Sequence, residues 1–264
     1  MTSWTESDAG FASQRLTAGC GTMEMRLNGL LDSKGRVAEE VHAIRKLGKS
    51  LRGGFALFRL EDSAAREIQV IGRLLSSPRD AVSRLSTWNK LAWKADETTS
   101  AAIVGLLEQQ THTAARRPPA ATISWCVERV RTASDELSQL PPADLTERMA
   151  KGVDKLRKRV IRRCRHLDHR AEEDFHDARK ALKAYLGAVG FLPENSVPAE
   201  PVMADLAELL GDENDLATLA TWLERHGFTP SFAPDLWKLI LKTRKAIRKQ
   251  AMADAAILVS AQSA

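Results

Sequence analysis

The sequence holds little that would build strands, membrane spans or a disulfide frame. Aromatic residues make up 5% of it, with a single tyrosine, and glycine is sparse. Long stretches rich in Leu, Ala, Lys, Arg and Glu lack the β-branched alternation of half-buried strands, so the chain reads as nearly all α. No apolar run approaches the ~18 residues of a spanning segment. The first residues carry no charged stretch followed by an apolar one, so no secretory signal is expected and the cytoplasm is the expected location. Cysteine is limited to Cys20, Cys126 and Cys164, an odd number at unpatterned spacing, which suits reduced thiols rather than a disulfide frame or a zinc site. Cys164 falls on an apolar helix face and reads as core. Catalytic signatures are missing too: H-E-x-x-H, G-x-x-x-x-G-K-[ST] and G-x-S-x-G do not occur, and acids lie mainly off the basic faces. The expectation is therefore a protein that is not an enzyme, with no catalytic residue, metal ligand or cofactor.

What is present is a self-similar chain. At 264 residues and 44% apolar content it can bury a sizeable core, and its formal net charge of +5 is modest. His42-Ala-Ile-Arg45-Lys46-Leu-Gly-Lys49 recurs 134 residues later as His176-Asp-Ala-Arg179-Lys180-Ala-Leu-Lys183. Leu85-Ser86-Thr87-Trp88 recurs at the same offset as Leu219-Ala220-Thr221-Trp222. Leu74-Leu75 followed by Arg79-Asp80 recurs as Leu209-Leu210 followed by Asn214-Asp215 at an offset of 135, and Glu39 corresponds to Glu173. Three landmarks in one order imply an internal duplication, with halves at 23–140 and 141–258, a candidate disordered segment at 1–22 and a tail at 259–264. Prolines punctuate these halves. Helices are expected near 23–32, 36–60, 63–76, 79–95, 98–115 and 121–139, then near 144–168, 170–191, 200–210, 213–226 and 235–258.

Charge falls on these helices in stripes. At about 100° per residue, His42, Arg45, Lys46, Lys49 and Arg52 share one arc opposite Val41, Ile44, Leu47, Leu51 and Phe55, and no acid occurs between Val41 and Leu60. His176, Arg179, Lys180 and Lys183 repeat the pattern. Lys155, Lys158, Arg159, Arg162 and His166 form a third stripe, and Lys238, Lys242, Lys245, Arg248 and Lys249 a fourth. Between Lys151 and Arg170 nine cations face two acids. One such stripe is what any solvated helix face shows. Several together are different, because like charges at i,i+4 repel and solvated faces usually mix signs, so an external anion is expected.

These residues resemble the CHAD family, the conserved histidine α-helical domain. Each half of that family opens on a helix patterned H-x-x-R-[KR]-x-x-[KR]-x-L-R, followed by a helix ending in a G-x-x-[RN]-D turn. The first copy here is His42, Arg45, Lys46, Lys49, Leu51, Arg52, then Arg79-Asp80; the second is His176, Arg179, Lys180, Lys183, then Gly211, Asn214 and Asp215. The likeness spans about 23 to 258. It departs at Ser76-Ser77-Pro78, where a glycine-containing turn is usual, and at Tyr185-Leu186-Gly187, where one family cation is missing. The resemblance implies paired helical bundles with approximate two-fold pseudo-symmetry around a basic cavity, inorganic polyphosphate as ligand, and residence in polyphosphate granules.

On that reading the ligand residues are His42, Arg45, Lys46, Lys49, Arg52, Lys155, Lys158, Arg159, Arg162, His166, His176, Arg179, Lys180, Lys183, Lys238, Lys242, Lys245 and Lys249. Arginines grip two oxygens at once, lysines act as point charges, and a neighbouring polyanion favours charged imidazoles. Glu39 and Glu173 read as ordinary first-turn acids, Asp80 and Asp215 as turn or cap residues, and Trp88 and Trp222 as core. Nucleic acid is the alternative partner, disfavoured by the lack of stacking aromatics on the basic faces. Docking of an acidic protein is a further reading; no protein partner is identified, and no membrane is expected.

Overall fold

The computed structural model describes residues 4–32, 37–91, 97–114, 117–168, 171–197 and 201–261, and within them side chains other than those of 76–80 and 112–114. These residues form helices α1 (Glu6–Asp32), α2 (Val37–Leu57), α3 (Ala64–Leu74), α4 (Ser76–Lys90), α5 (Glu97–Ala114), α6 (Ala120–Ser138), α7 (Pro142–Arg165), α8 (Glu172–Val189), α9 (Pro201–Arg225) and α10 (Pro234–Ser260). No strand occurs among them, in keeping with the all-α expectation, and no described helix is long and apolar enough to cross a membrane.

Two helix boundaries differ most from the sequence reading, while α4 begins at Ser76 rather than near 79 and ends at Lys90, residues 92–95 of its expected span lying outside the described residues. α1 starts at Glu6 rather than near residue 23, so most of the segment expected to lie outside the fold is helical. Thr5 and Asp8 cap it reciprocally: the Asp8 amide donates to Thr5 Oγ1 at 3.2 Å, and the Thr5 amide donates to Asp8 Oδ2 at 3.0 Å. This satisfies two donors that an uncapped first turn leaves unpaired. Ala9, Leu16, Met23 and Leu30 then recur every seventh residue on the buried side. The second difference is α9, one helix where the sequence reading expects two, 200–210 and 213–226, separated at Gly211. The intervening Asp212, Glu213, Asn214 and Asp215 are helical residues, so Asp215 ends no turn. Arg79 and Asp80, the matching pair of the first copy, have side chains outside the described residues.

Contacts divide the chain into two compact units, each assembled from three stretches. The division expected at residue 140 follows the repeated sequence motif instead. Unit 1 holds residues 1–77, 115–160 and 181–200, with α1 packed on α2 and α6 and α3 packed on both of those. Phe55, Phe58, Leu16, Leu27, Ile44 and Leu51 are fully buried there. Backbones approach closely at two places. A Cβ on Gly53 would lie 2.5 Å from the Ala184 carbonyl oxygen of α8, and one on Gly152 of α7 would lie 2.0 Å from that of Leu57. These contacts pin the C-terminal half of α2, which carries part of the first basic stripe.

Unit 2 holds residues 78–114, 161–180 and 201–264. Its core gathers Trp88, Ile103, Leu107, Leu219, Trp222, Leu223, Phe228, Leu236 and Ile240, so both tryptophans are core residues as expected. Gly227, with φ +87°, closes α9, and the Phe228 amide reaches back to the Leu223 carbonyl at 3.0 Å. All three cysteines are buried and free.

Candidate anion-binding groove and a buried ion network

On α2 the apolar residues Val41, Ile44, Leu51 and Phe55 are buried, which turns the opposite arc outward as the helical phase predicts. His42, Lys46 and Arg52 are exposed, and Arg45 and Lys49 partly so. Arg45, Lys49 and Arg52 line a groove of about 210 Å³ together with Arg73 of α3, over a floor that includes Met23, Ile44, Gly48, Ile68 and Gly72. Arg45 Nη1 donates to the Gly72 carbonyl at 2.7 Å, tying α2 to α3. A Cβ on Gly72 would meet nothing within 4 Å, so this part of the wall is bare backbone. His42 and Lys46 are not among the lining residues.

The groove is crowded with one sign of charge. Partial withdrawal of its head group from water, followed by the charges of Arg73 and Arg159, holds the Arg52 guanidinium below the ordinary arginine value, although the residue as a whole is exposed. Three acids of the same unit are held by other cations: Glu40 by Arg26 at 3.0 Å, Glu67 by Arg129 at 2.7 Å, and Glu61 by Lys155. Sequence phase located three of the four lining cations. Arg73 escaped it because it lies on the next helix, outside the repeated motif.

The other predicted ligands stand in more mixed surroundings. On α7, Lys155 pairs with Glu61 and Lys158 with Asp154 at 2.8 Å, while Arg159, Arg162 and His166 are exposed. On α8, Lys180 pairs with Asp177 at 3.2 Å, Asp177 also takes Arg163 at 3.0 Å, Lys183 is exposed and Arg179 is half-buried. Burial alone would raise the Asp177 pKa, but the Lys180 hydrogen bond and the charges of Arg163, Lys180 and His176 hold it below the usual aspartate value. His176 sits against α9. Asn214 Nδ2 donates to Asp215 Oδ1 at 3.3 Å, which turns Asn214 Oδ1 toward His176 Nδ1, 3.0 Å away, so that the imidazole donates from Nδ1. The cleft there, about 360 Å³, is lined by Glu172, Glu173, Glu213, Thr218 and Thr221 as well as His176. It is acidic where the α2 groove is basic.

Beside that cleft lies a network that sequence reasoning missed. Glu213 is 2% exposed, and its Oε1 accepts from Arg244 Nη2 at 2.7 Å and Arg248 Nη2 at 2.6 Å, and from both Nε atoms at 3.0 and 2.9 Å. Glu172 adds a contact to Arg244 at 2.8 Å, and the Arg248 guanidinium lies 5.0 Å from the Phe175 ring centre. Burial alone would lower the Arg244 pKa, but the hydrogen bonds it donates to Glu172 and Glu213 hold it above its ordinary value. The only advance signal was Arg248 in phase with the α10 lysines. Of those, Lys238 pairs with Asp235 at 3.0 Å and Lys242, Lys245 and Lys249 are exposed. Lys245 and Lys249 also edge a mostly apolar hollow that includes Leu241 and Met252. Among the described residues no group of three or more His, Cys, Asp or Glu side chains could hold a metal ion.

A family model described as CHAD domain matches residues 21–224. In fold the chain is similar to PptA from Streptomyces chartreusis, with a TM-score of 0.60 at 15% sequence identity over 96% of this chain and 98% of that one. Among curated proteins none matches the sequence.

Proposed function

Because the chain belongs to the CHAD family, we propose that it binds inorganic polyphosphate on its basic helix faces, as a non-catalytic protein resident in polyphosphate granules. The observation that carries this reading is the α2 groove, where Arg45, Lys49, Arg52 and Arg73 converge while Glu40, Glu61 and Glu67 are engaged by other cations. Cations held close repel one another, and an entering polyanion relieves that repulsion. Polyphosphate suits such a site because it presents unshielded oxygens along a flexible chain and asks for no base recognition. Nucleic acid would gain from stacking platforms, yet Phe55, Phe175 and Tyr185 on the striped helices α2 and α8 are buried.

The internal duplication belongs to this reading, and one packing detail supports it. Gly53 and Gly187 stand 134 residues apart, as do Ser50 and Ala184. A Cβ on Gly53 would strike Ala184, and one on Gly187 would lie 3.1 Å from the Ser50 Cα. Such reciprocal contact between equivalent residues is what a two-fold relation between α2 and α8 produces. It also supplies a reason for the departure from the family pattern at Tyr185-Leu186-Gly187, since a side chain at 187 would press on the α2 backbone.

The test is a titration of the full chain with long-chain polyphosphate over a salt series. Binding that releases condensed counterions weakens linearly in log–log form, with a slope that reports the number of phosphates neutralised. A steep slope is expected, together with preference for polyphosphate over single-stranded DNA at fixed salt. No binding, or a slope equal to one or two contacts, would refute the proposal.

A further inference from the structure

We propose that a short stretch of phosphoanhydride chain enters the groove between α2 and α3 and is gripped there by Arg52, Arg73 and Lys49, with Arg45 a positioning residue that shapes the groove through the Gly72 carbonyl. This rests on the polyphosphate reading and deepens it by naming contact residues on two helices, one of them outside every basic stripe. Arg73 and Arg52 both line the groove and are both exposed, so their guanidinium forks are available to bridging and terminal phosphoryl oxygens. Arg45 differs: its Nη1 is already bonded at 2.7 Å to the carbonyl of the residue before Arg73. It therefore fixes where Arg73 leaves the α3 backbone. Burial of its head group, followed by the charges of Arg73 and Arg159, holds Arg52 below the ordinary arginine value, and an anion entering between these groups favours its charged form. At about 210 Å³ the groove is smaller than the ~300–1,000 Å³ of ordinary small-molecule pockets, which suits a few phosphoryl groups rather than a bulky ligand. Gly72 contributes by having no side chain, since its wall is open space.

The full chain and its variants are titrated with tripolyphosphate and with long-chain polyphosphate over a salt series. Gly72→Leu should fill the groove without touching a charge or the core; with no atom within 4 Å of the added Cβ and a better helix former at that position, its melting temperature should be unchanged or raised. Tripolyphosphate binding should fall by about tenfold or more, as expected for losing one or more charge-assisted contacts. Arg73→Gln and Arg52→Gln should each weaken binding similarly and lower the salt slope by about one, the signature of a lost phosphate contact. Arg45→Gln should weaken binding with the slope retained, since it removes shape and not a contact. Lys90→Gln removes the same charge from α4 and should change nothing. If long-chain polyphosphate still binds while Gly72→Leu and Arg73→Gln behave as wild type, the groove assignment is overturned and the polyphosphate reading stands. If neither anion binds wild type, both fall. A slope lowered by one in Arg45→Gln would overturn its positioning role.

Discussion

Removing the Glu213 carboxylate should destabilise the protein far more than removing Glu172, the exposed acid of the same network. In Glu213→Ala, Arg244 and Arg248, whose side chains are 14% and 15% exposed, lose the oxygen on which four N–H donors converge. Breaking a buried ion pair by deleting one partner costs about 3–5 kcal/mol where the remaining charge loses its compensation. Glu172 keeps hold of Arg244 at 2.8 Å and both guanidinia retain some water, so the lower figure of about 3 kcal/mol applies. At roughly 2–4 °C per kcal/mol for a chain of this size, the melting temperature should fall by roughly 6–12 °C. Glu172→Ala is the internal comparison: that carboxylate is 58% exposed, and bridges of its kind contribute about 0–1 kcal/mol. Thermal unfolding followed by circular dichroism reads both variants. Equal small shifts, within about 1 kcal/mol of wild type, would refute the view that this network is a buried one and would leave Arg244 and Arg248 as solvated cations available to ligand.

Three more outcomes follow from particular contacts. Gly53→Ala should destabilise by about 3 kcal/mol or more, at the upper end of overpacking costs, because its Cβ meets backbone atoms of α8 at 2.5 and 2.6 Å; denaturant unfolding checks it. Burial pushes the Cys20 thiol up to about 12 and those of Cys126 and Cys164 to about 11, so none should react with an aromatic disulfide reagent near neutral pH until the chain is unfolded, when all three should. The folded pKa of Asp177 lies below its unfolded value, so its contribution to stability is present above about pH 4 and is lost as pH falls through the folded value. Asp177→Asn should therefore be less stable than wild type at neutral pH, with the difference shrinking on acidification, as urea unfolding across a pH series would reveal.

The helical class and most element positions were legible because apolar periodicity is a property of each helix alone. The two misread boundaries lay where that signal is weak. Early α1 buries Ala9 and Ala12, small residues that barely mark a face, and the cap formed by Thr5 and Asp8 was the stronger clue. At Gly211 to Asp215, a glycine beside four polar residues resembles a turn. The helix continues because Glu213 is taken up by Arg244 and Arg248 and Asn214 by His176, partners 31, 35 and 38 residues distant that no local window contains.

The same distinction governs the site. Phase reports which side of a helix a cation occupies, and on α2 it was right. What stands across from that cation is a property of pairs of elements. Some pairings could be read locally, since Asp154 with Lys158, Asp177 with Lys180 and Asp235 with Lys238 are three or four residues apart. Others, such as Glu61 with Lys155 across 94 residues, could not. Two copies of one motif thus stand in different electrostatic surroundings. The first copy's Arg45, Lys49 and Arg52 share a groove with Arg73, while in the second copy Lys180 is drawn to Asp177, His176 lines an acidic cleft, and Leu186 stands where Arg52 stands in the first. Counting basic residues treats the copies as equal. On the proposed reading the α2 side, where Arg52 and Arg73 share one groove, is the stronger anion site, and that difference, rather than the net charge, is what binding to single-copy variants would measure.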